Sequence, residues 1–279
     1  MIGPKQAEVY AALKADTPFV ARVDGWAFNT FTRQMDFDRP FDTGFAWAMA
    51  NTVVDLFPVF KPTFAVTHSD EASFLFTRPT GGPGIGFTIP FNRVEKVDSL
   101  LASAFASRFT MWMHNMLKNQ PAELEMLRTE PPAFDCRIVQ FSPPDSLKQT
   151  LDYFQWRQDD SRRNFTYGWA FELMRGRRDE GGYGMSPAAA AKYLTGFNQE
   201  QQADLCRRNS LDLTKMPLWE KHGAAFYWER YTKKGHNPIT NEDVVVGRRR
   251  VKEVHDVPDF RTKEGLDWLK TTIGTHWNM

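Results

Sequence analysis

Short apolar runs closed by acidic turns open the chain, and longer runs at helical spacing follow. Phe19-Val20-Ala21-Arg22-Val23 ends on Asp24-Gly25, a strand-like run meeting a turn pair. Phe64-Ala65-Val66 and Phe74-Leu75-Phe76 flank Ser69-Asp70-Glu71, which reads as a hairpin turn between two strands. Between these strands, residues 43–57 place Phe45, Met49, Val53 and Leu56 or Phe57 on one helical face. Asp42 is its candidate N-cap and Pro58 its stop. With the first strand paired beside the hairpin, Asp24 and Asp70 meet at one rim of a sheet.

The rest of the pattern reads more coarsely. Residues 4–16 read as a short helix, and Trp26, Phe28 and Phe31 pack a loop after the first strand. Residues 92–117 predict a long helix, with Val97, Leu101, Phe105 and Phe109 recurring at helical spacing. Arg93 and Lys96 share a face of its first turn, where cations oppose the helix dipole and a bound polyphosphate would offset the cost. Residues 121–132 read as a linker, 134–141 as a strand and 145–174 as mostly helix. A polar stretch at 178–184 is a candidate boundary. Helices follow from Ser186-Pro187 and over 199–208, then strands over 224–231 and 243–254. The Gly-rich run at 80–86 lacks the Lys-Ser/Thr of a phosphate loop and reads as a connector.

Composition narrows the classes. The 279 residues are 42% hydrophobic, with 23 Phe and 9 Trp, enough for a large aromatic core. A net charge of +1 excludes a globally basic nucleic-acid binder, so contact with RNA needs local patches. Arg157, Arg162 and Arg163, interleaved with Phe165 and Tyr167, form one such patch. Arg248-Arg249-Arg250 either touches RNA or protects an edge strand; the residues leave both open. Cys136 and Cys206 lack ligand spacing and read as reduced, which fits a cytoplasmic protein. No leader pattern and no apolar run of membrane length is found, so no membrane partner is expected.

Two carboxylates at one rim repel each other, and hard oxygen ligands suit Mg²⁺ shared with substrate phosphates. Asp-Gly and Ser-Asp-Glu are also ordinary turn chemistry. What separates the two readings is a set of motifs in order. Arg22-Val23-Asp24-Gly25-Trp26-Ala27-Phe28, then Phe37-Asp38-Arg39-Pro40-Phe41-Asp42, resembles the R-x-D-G-x-x-F and F-x-K-P-x-D of the tRNA-histidine guanylyltransferase family and its guanylyltransferase-like relatives. Ser69-Asp70-Glu71-Ala72-Ser73-Phe74, Ala102-Ser103-Ala104-Phe105-Ala106-Ser107, Phe134-Asp135-Cys136-Arg137-Ile138-Val139 and Trp156-Arg157-Gln158 resemble later family motifs. The likeness covers roughly residues 17–170.

The resemblance implies an α+β fold: a polymerase-palm-like (ferredoxin-like) antiparallel sheet with helices on one face, plus a C-terminal helix and strand extension. It implies a catalytic domain over residues 1–142 and a region over 143–279 for tRNA binding and oligomerisation. Family members add nucleotides to the 5′ end of tRNA in the 3′-to-5′ direction with two Mg²⁺ ions, taking ATP, GTP and other NTPs as substrates. Asp24, the Gly25 carbonyl and Asp70 match the metal ligands, with Asp24 and Asp70 catalytic. Gly25, Trp26, Ala27, Phe28, Arg39, Asp42 and Ser69 match nucleotide-binding positions. Arg22, Arg93 and Lys96 match residues that hold a 5′-triphosphate; Arg157, Arg162, Arg163, Asn164 and Tyr167 are the expected tRNA contacts. Glu71 is expected on the opposite face of its strand, in a supporting role. A homotetramer, a dimer of dimers, is the family's usual assembly.

One run departs. Where tRNA-histidine enzymes carry H-I-N-N-L-Y-N, this chain has Arg162-Arg163-Asn164-Phe165-Thr166-Tyr167-Gly168, and only Asn164 and Tyr167 match. That loss is typical of the guanylyltransferase-like branch, which repairs 5′-truncated tRNAs against a template. Addition of G at position −1 of tRNA-histidine is the close alternative. A nucleotide cyclase and a catalytically inert RNA-binding palm are the readings from other classes.

Overall fold

Alternation along the first strand decides the architecture. In β1 (Phe19–Trp26), Phe19, Ala21 and Val23 enter one apolar core while Val20 enters a second on the opposite face. A strand apolar on both faces needs partners on both edges and a layer on each side. β3 (Glu71–Phe76) pairs along one edge and β4 (Ala133–Gln140) along the other, both antiparallel. β2 (Phe64–His68) joins β3 through a hairpin, and β5 (Ala224–Asn237) and β6 (Glu242–Val254) extend the sheet beyond it. The strand order is β4-β1-β3-β2-β5-β6. The computed structural model describes residues 8–77, 93–176, 182–237, 239 and 241–274.

On one face lie α1 (Phe28–Gln34), α2 (Thr43–Phe60), α3 (Val94–Met116) and α4 (Pro121–Thr129). Met49, Val53 and Phe57 of α2 and Leu101, Phe105 and Phe109 of α3 close over Ala21, Ala65 and Phe74. The C-terminal extension covers the other face: α5 (Ser146–Arg175) and α9 (Lys263–Gly274) bring Phe154, Leu269 and Ile273 against Val20, Phe64 and Leu75. α6 (Pro187–Leu194) and α7 (Gln199–Arg208) pack on the distal end of α5 through Ala170, Met174, Leu194 and Cys206. α8 (Leu218–His222) leads into β5. The α+β palm-like architecture is as the sequence predicts, with β5 and β6 continuing the same sheet.

Local expectations needed correction. Residues 8–16 form turns and a Lys14–Arg93 bridge rather than a helix. The residues after β1 form α1, not a loop, and Thr32 donates back to the Phe28 carbonyl within it. Pro58 does not stop α2. One rung is lost there, and the helix ends at left-handed Lys61, whose N–H donates to the Phe57 carbonyl. The expected linker at 121–132 is largely α4, because Pro121 occupies a first turn where no N–H is needed. The Gly-rich run at 80–86, Arg177, Arg178, His276 and Trp277 lie outside the described residues. Among the described residues, no helix is long and apolar enough to cross a membrane.

Candidate active site

The sheet register builds the site. Asp24 stands opposite Glu71 on β3 and Asp135 on β4. Ser69, at φ 51°, turns the β2–β3 hairpin, and the Gly25 N–H donates to the Asp70 carbonyl at 3.0 Å. This bond ties the hairpin turn to the end of β1 and sets Asp70 beside Asp24. A Cβ on Gly25 would lie 2.4 Å from the Phe28 ring, so glycine lets that ring close over the turn. The Ser69 hydroxyl donates to Asp70 Oδ1 at 3.1 Å. Burial pushes the Asp70 carboxyl above its ordinary range, and the Asp24 carboxylate adds to the rise.

A layer of charge lies beneath this rim. Arg22 Nη2 is 3.7 Å from Asp24, and Arg137 Nη1 is 3.8 Å from it on the other side. Glu71 does not point away. Residues directly opposite in an antiparallel pair share a face, so Glu71 faces the same space as Asp24. Arg157 of α5 grips Glu71 through Nε at 2.7 Å and also reaches Asp160 at 3.0 Å. Burial raises the Glu71 carboxyl to about 7, while the Arg157 and Arg22 guanidinia pull against that rise. His68 is buried between these groups, and neither ring nitrogen has a hydrogen-bond partner among the described residues. Burial, and then Arg157, lower it to about 3, so its imidazole is neutral. Arg22, Asp24, His68, Asp70, Glu71 and Asn164 line a cavity of about 280 Å³.

A larger cleft, about 660 Å³, opens from Ser69 and Asp70 between α2, α5 and α8. Its walls include Phe28, Arg39, Phe41, Asn164, Tyr167 and Trp219. A cleft of this size and mixed character suits a small ligand of nucleotide dimensions.

The predicted residues divide accordingly. Arg22, Asp24, Gly25, Ser69 and Asp70 come together at the rim. Phe28, Arg39, Asp42, Asn164 and Tyr167 line the larger cleft. The Asp42 carboxylate is committed, capping α2 at Phe45 N–H (2.7 Å) and accepting from Asp38 N–H (3.1 Å), so it shapes the wall. Trp26 is exposed and Ala27 is left-handed at the start of α1; neither is among the residues lining these two cavities. Arg93 and Lys96 are not among the residues lining these two cavities: they begin α3 beside Lys14, where Arg93 pairs with Glu8 and Glu95. Arg157 and Arg162, expected as tRNA contacts, are buried and committed to ion pairs within the chain. They are 5% and 6% exposed, and Arg162 is held by Asp159 and Asp259. Arg163 is exposed and pairs with Asp160 at 2.6 Å.

His68, Asp160 and Trp219 were not foreseen. Only His68, beside Ser69-Asp70, had a local signal; α8 brings Trp219 in from the far end of the chain.

The donors at the rim are carboxylates and a backbone carbonyl, the oxygen set a hard divalent cation prefers. Among the described residues no three His, Cys, Asp or Glu converge as a cage. Two carboxylates fit an ion that completes its shell with water and substrate oxygens.

A sequence profile described as tRNAHis guanylyltransferase (Thg1) matches residues 4–142, which include Asp24 and Asp70. Protein R259 of Acanthamoeba polyphaga mimivirus, uncharacterized, is 29% identical over 217 residues, covering 74% of this chain and 68% of that one. The probable tRNA(His) guanylyltransferase of Mus musculus is 26% identical over 215 residues, covering 76% of this chain but 64% of its own length. The chain thus spans about two thirds of these relatives. A bacterial tRNA(His) guanylyltransferase (Thg1)-like protein, solved in complex with ATP, shares the fold. Its TM-score is 0.64 at 20% identity, over 94% of this chain and 92% of that one.

Proposed function

The chain belongs to the tRNAHis guanylyltransferase family, and from that premise we propose that it is a nucleotidyltransferase extending the 5′ end of truncated tRNA, in the 3′-to-5′ direction and against a template. The observation that carries this reading is the meeting of Asp24 and Asp70 in the cavity of about 280 Å³, with Asp70 also lining the adjoining cleft of about 660 Å³.

The reaction joins the 3′-hydroxyl of an incoming NTP to the α-phosphate of an activated 5′ end. The oxygen–phosphorus bond forms, the hydroxyl proton leaves and pyrophosphate departs from a 5′-triphosphate. A 5′-monophosphate must first be activated with ATP, which releases pyrophosphate and leaves an adenylylated 5′ end, from which AMP then departs in place of pyrophosphate. The NTP occupies the larger cleft, with Arg39 and Tyr167 in its wall and the Ser69 hydroxyl at its mouth. Arg22 faces the smaller cavity and supplies a cation for triphosphate oxygens. Asp24, Asp70 and the Gly25 carbonyl would hold Mg²⁺. Two such ions, when bound, supply activation of the hydroxyl and charge neutralisation of the leaving pyrophosphate. Glu71 and Arg157 hold the start of β3 behind Asp70.

The templated branch is favoured by the run at 162–168. Its first position, His in the tRNA-histidine enzymes, is here an Arg162 buried against Asp159 and Asp259. The family resemblance also supports a cytoplasmic homotetramer, with residues 143–279 serving tRNA binding and assembly.

Labelled tRNAs lacking one 5′ nucleotide, incubated with Mg²⁺, ATP and each NTP while the opposing base is varied, test the proposal. Incorporation that follows the opposing base and disappears in Asp24→Ala supports it. Incorporation of G on full-length tRNA-histidine alone moves the assignment to the −1 guanylyltransferase. A cyclic nucleotide formed without RNA, or tRNA binding that Asp70→Ala leaves intact with no incorporation, sinks it.

A further inference from the structure

We propose that the outer halves of β5 and β6 form an arm that holds the helical body of the RNA by its phosphates, away from the catalytic rim; this rests on the reading of the chain as a tRNA enzyme. β5 pairs with β2 only over Ala224, Ala225, Phe226 and Tyr227. From Trp228↔Val251 to Asn237↔Glu242 the two strands, among the described residues, pair with each other alone. At the usual strand rise this ribbon projects about 30 Å. Tyr231, Lys233, Lys234, Val245, Arg248 and Arg249 are all exposed on it. A two-stranded ribbon is marginal in water by itself, so one this long is expected to lie on a partner.

Its charge says which partner. Residues 228–252 carry seven Lys and Arg against three Asp and Glu, whereas the whole chain is only +1. The remainder of the molecule is therefore net acidic, and the ribbon is where polyanion affinity concentrates. Arg249 lies 4.5 Å over the Trp228 ring and Arg250 5.3 Å over Tyr231. Arg250 donates its Nε to Glu229 at 2.6 Å, whereas the Arg249 guanidinium, laid on its ring, is pre-positioned for phosphate oxygens. A second copy of the chain is the other conceivable occupant. Two ribbons of the same sign repel, and Gly235 and Gly247, within the strands, weaken flat edge pairing.

Position sets the part of the RNA that is bound. Ala224 pairs with Thr67 near the rim and Tyr227 with Phe64 at the far end of β2, so the arm points away from Asp70. Along the strand, Arg248 lies about 20 Å from the rim and Lys233 and Lys234 about 30 Å. Nucleotides at the reacting 5′ end cannot reach these groups; the stacked helix behind them can. Contacts of this kind position the RNA without reading sequence.

The test compares wild type with the exposed-site variant Lys233→Gln/Lys234→Gln/Arg248→Gln/Arg249→Gln. Fluorescence anisotropy with full-length tRNA, and with a hairpin limited to the first few acceptor-stem base pairs, is read over about 50–300 mM salt. The expected result is a loss of tenfold or more for full-length tRNA, with a salt slope shallower by about one per phosphate contact removed. Hairpin and ATP affinity stay unchanged, and Arg248→Lys/Arg249→Lys keeps most of the tRNA affinity. Equal affinity of variant and wild type for full-length tRNA overturns the arm. So does an equal loss on both RNAs, or a change of oligomeric mass with tRNA affinity intact. Wild type that extends 5′ ends while the variant binds normally removes the arm alone; wild type that binds no tRNA removes the enzymatic assignment with it.

Discussion

Arg157 reaches from α5 across the face of the sheet to grip Glu71, its Nε 2.7 Å from Oε1 and its Nη2 2.5 Å from Oε2. Glu71 immediately follows Asp70 and stands opposite Asp24, so this buried pair lies directly behind both rim carboxylates. Its worth for stability is asymmetric. Keeping the pair is close to neutral against an apolar substitute, but breaking it strands a buried charge.

Arg157→Ala is therefore expected to cost about 3–5 kcal/mol, because Glu71, 6% exposed, loses its main partner. Pairing Arg157→Met with Glu71→Leu should recover most of that. Urea unfolding at neutral pH measures both. A single variant within about 1 kcal/mol of wild type, the range of an exposed pair, would show that the grip is not maintained in solution.

Gly25→Ala tests the turn. The added Cβ meets three carbons of the Phe28 ring at 2.4–2.8 Å, and Phe28 packs on Phe31, Phe45, Phe109 and Phe134. The ring must move, at about 1–3 kcal/mol for an overpacked site. The Gly25 N–H bond to Asp70 should loosen with it. A fall in melting temperature together with a larger fractional loss of 5′-extension is expected. A variant that melts lower yet keeps full activity would separate the turn from the chemistry.

How much of this was readable beforehand varies residue by residue. Asp24 and Asp70 are legible as turn residues because two short apolar runs end in acidic turns, and they share a rim because β1 pairs beside the hairpin. Glu71 was misplaced because its face depends on register with Asp24, and register is a property of two strands. Arg157 and Arg162 looked like an RNA-binding patch because a sequence shows charge and not partner; their carboxylates include Glu71 and Asp259, 86 and 97 residues away. Pro121 looked like a linker signal, although proline is as much at home in a helix's first turn. The ribbon shows in the sequence only as two strands, since nothing in strand composition tells where sheet pairing stops.

Asp98 carries a pH dependence. Its Oδ1 is buried with no hydrogen-bond partner among the described residues. Burial, then the Asp135 and Glu95 carboxylates, raise it from 3.8 to about 6 against a Cys136 contact that lowers it. A raised carboxyl binds its proton more tightly folded than unfolded. Its stabilising effect is full below about pH 3.8 and is lost as pH rises through about 6. Asp98→Asn has no such titration. The variant should match wild type near pH 4 and be the more stable of the two at about pH 7.5, in urea midpoints. An equal gap at both pH values would locate the effect elsewhere than in this proton.

Removing one rim carboxylate should separate function from stability. Burial raises the Asp70 carboxyl, and the neighbouring Asp24 carboxylate adds to the rise by repulsion. In metal-free buffer Asp70→Asn relieves that repulsion while keeping the side-chain volume and an acceptor for the Ser69 hydroxyl. The variant should then be no less stable than wild type. Added Mg²⁺ reverses the order, because an ion that binds only the folded state stabilises by RT ln(1 + [L]/Kd), about 2.7 kcal/mol at a hundredfold excess over Kd. Thermal unfolding with and without Mg²⁺ reads this directly: wild type should melt higher with the ion and Asp70→Asn should not respond. A metal-free variant that melts well below wild type would mean the carboxylate serves the fold. A wild type indifferent to Mg²⁺ would mean that Asp24 and Asp70 do not hold the ion before substrate arrives.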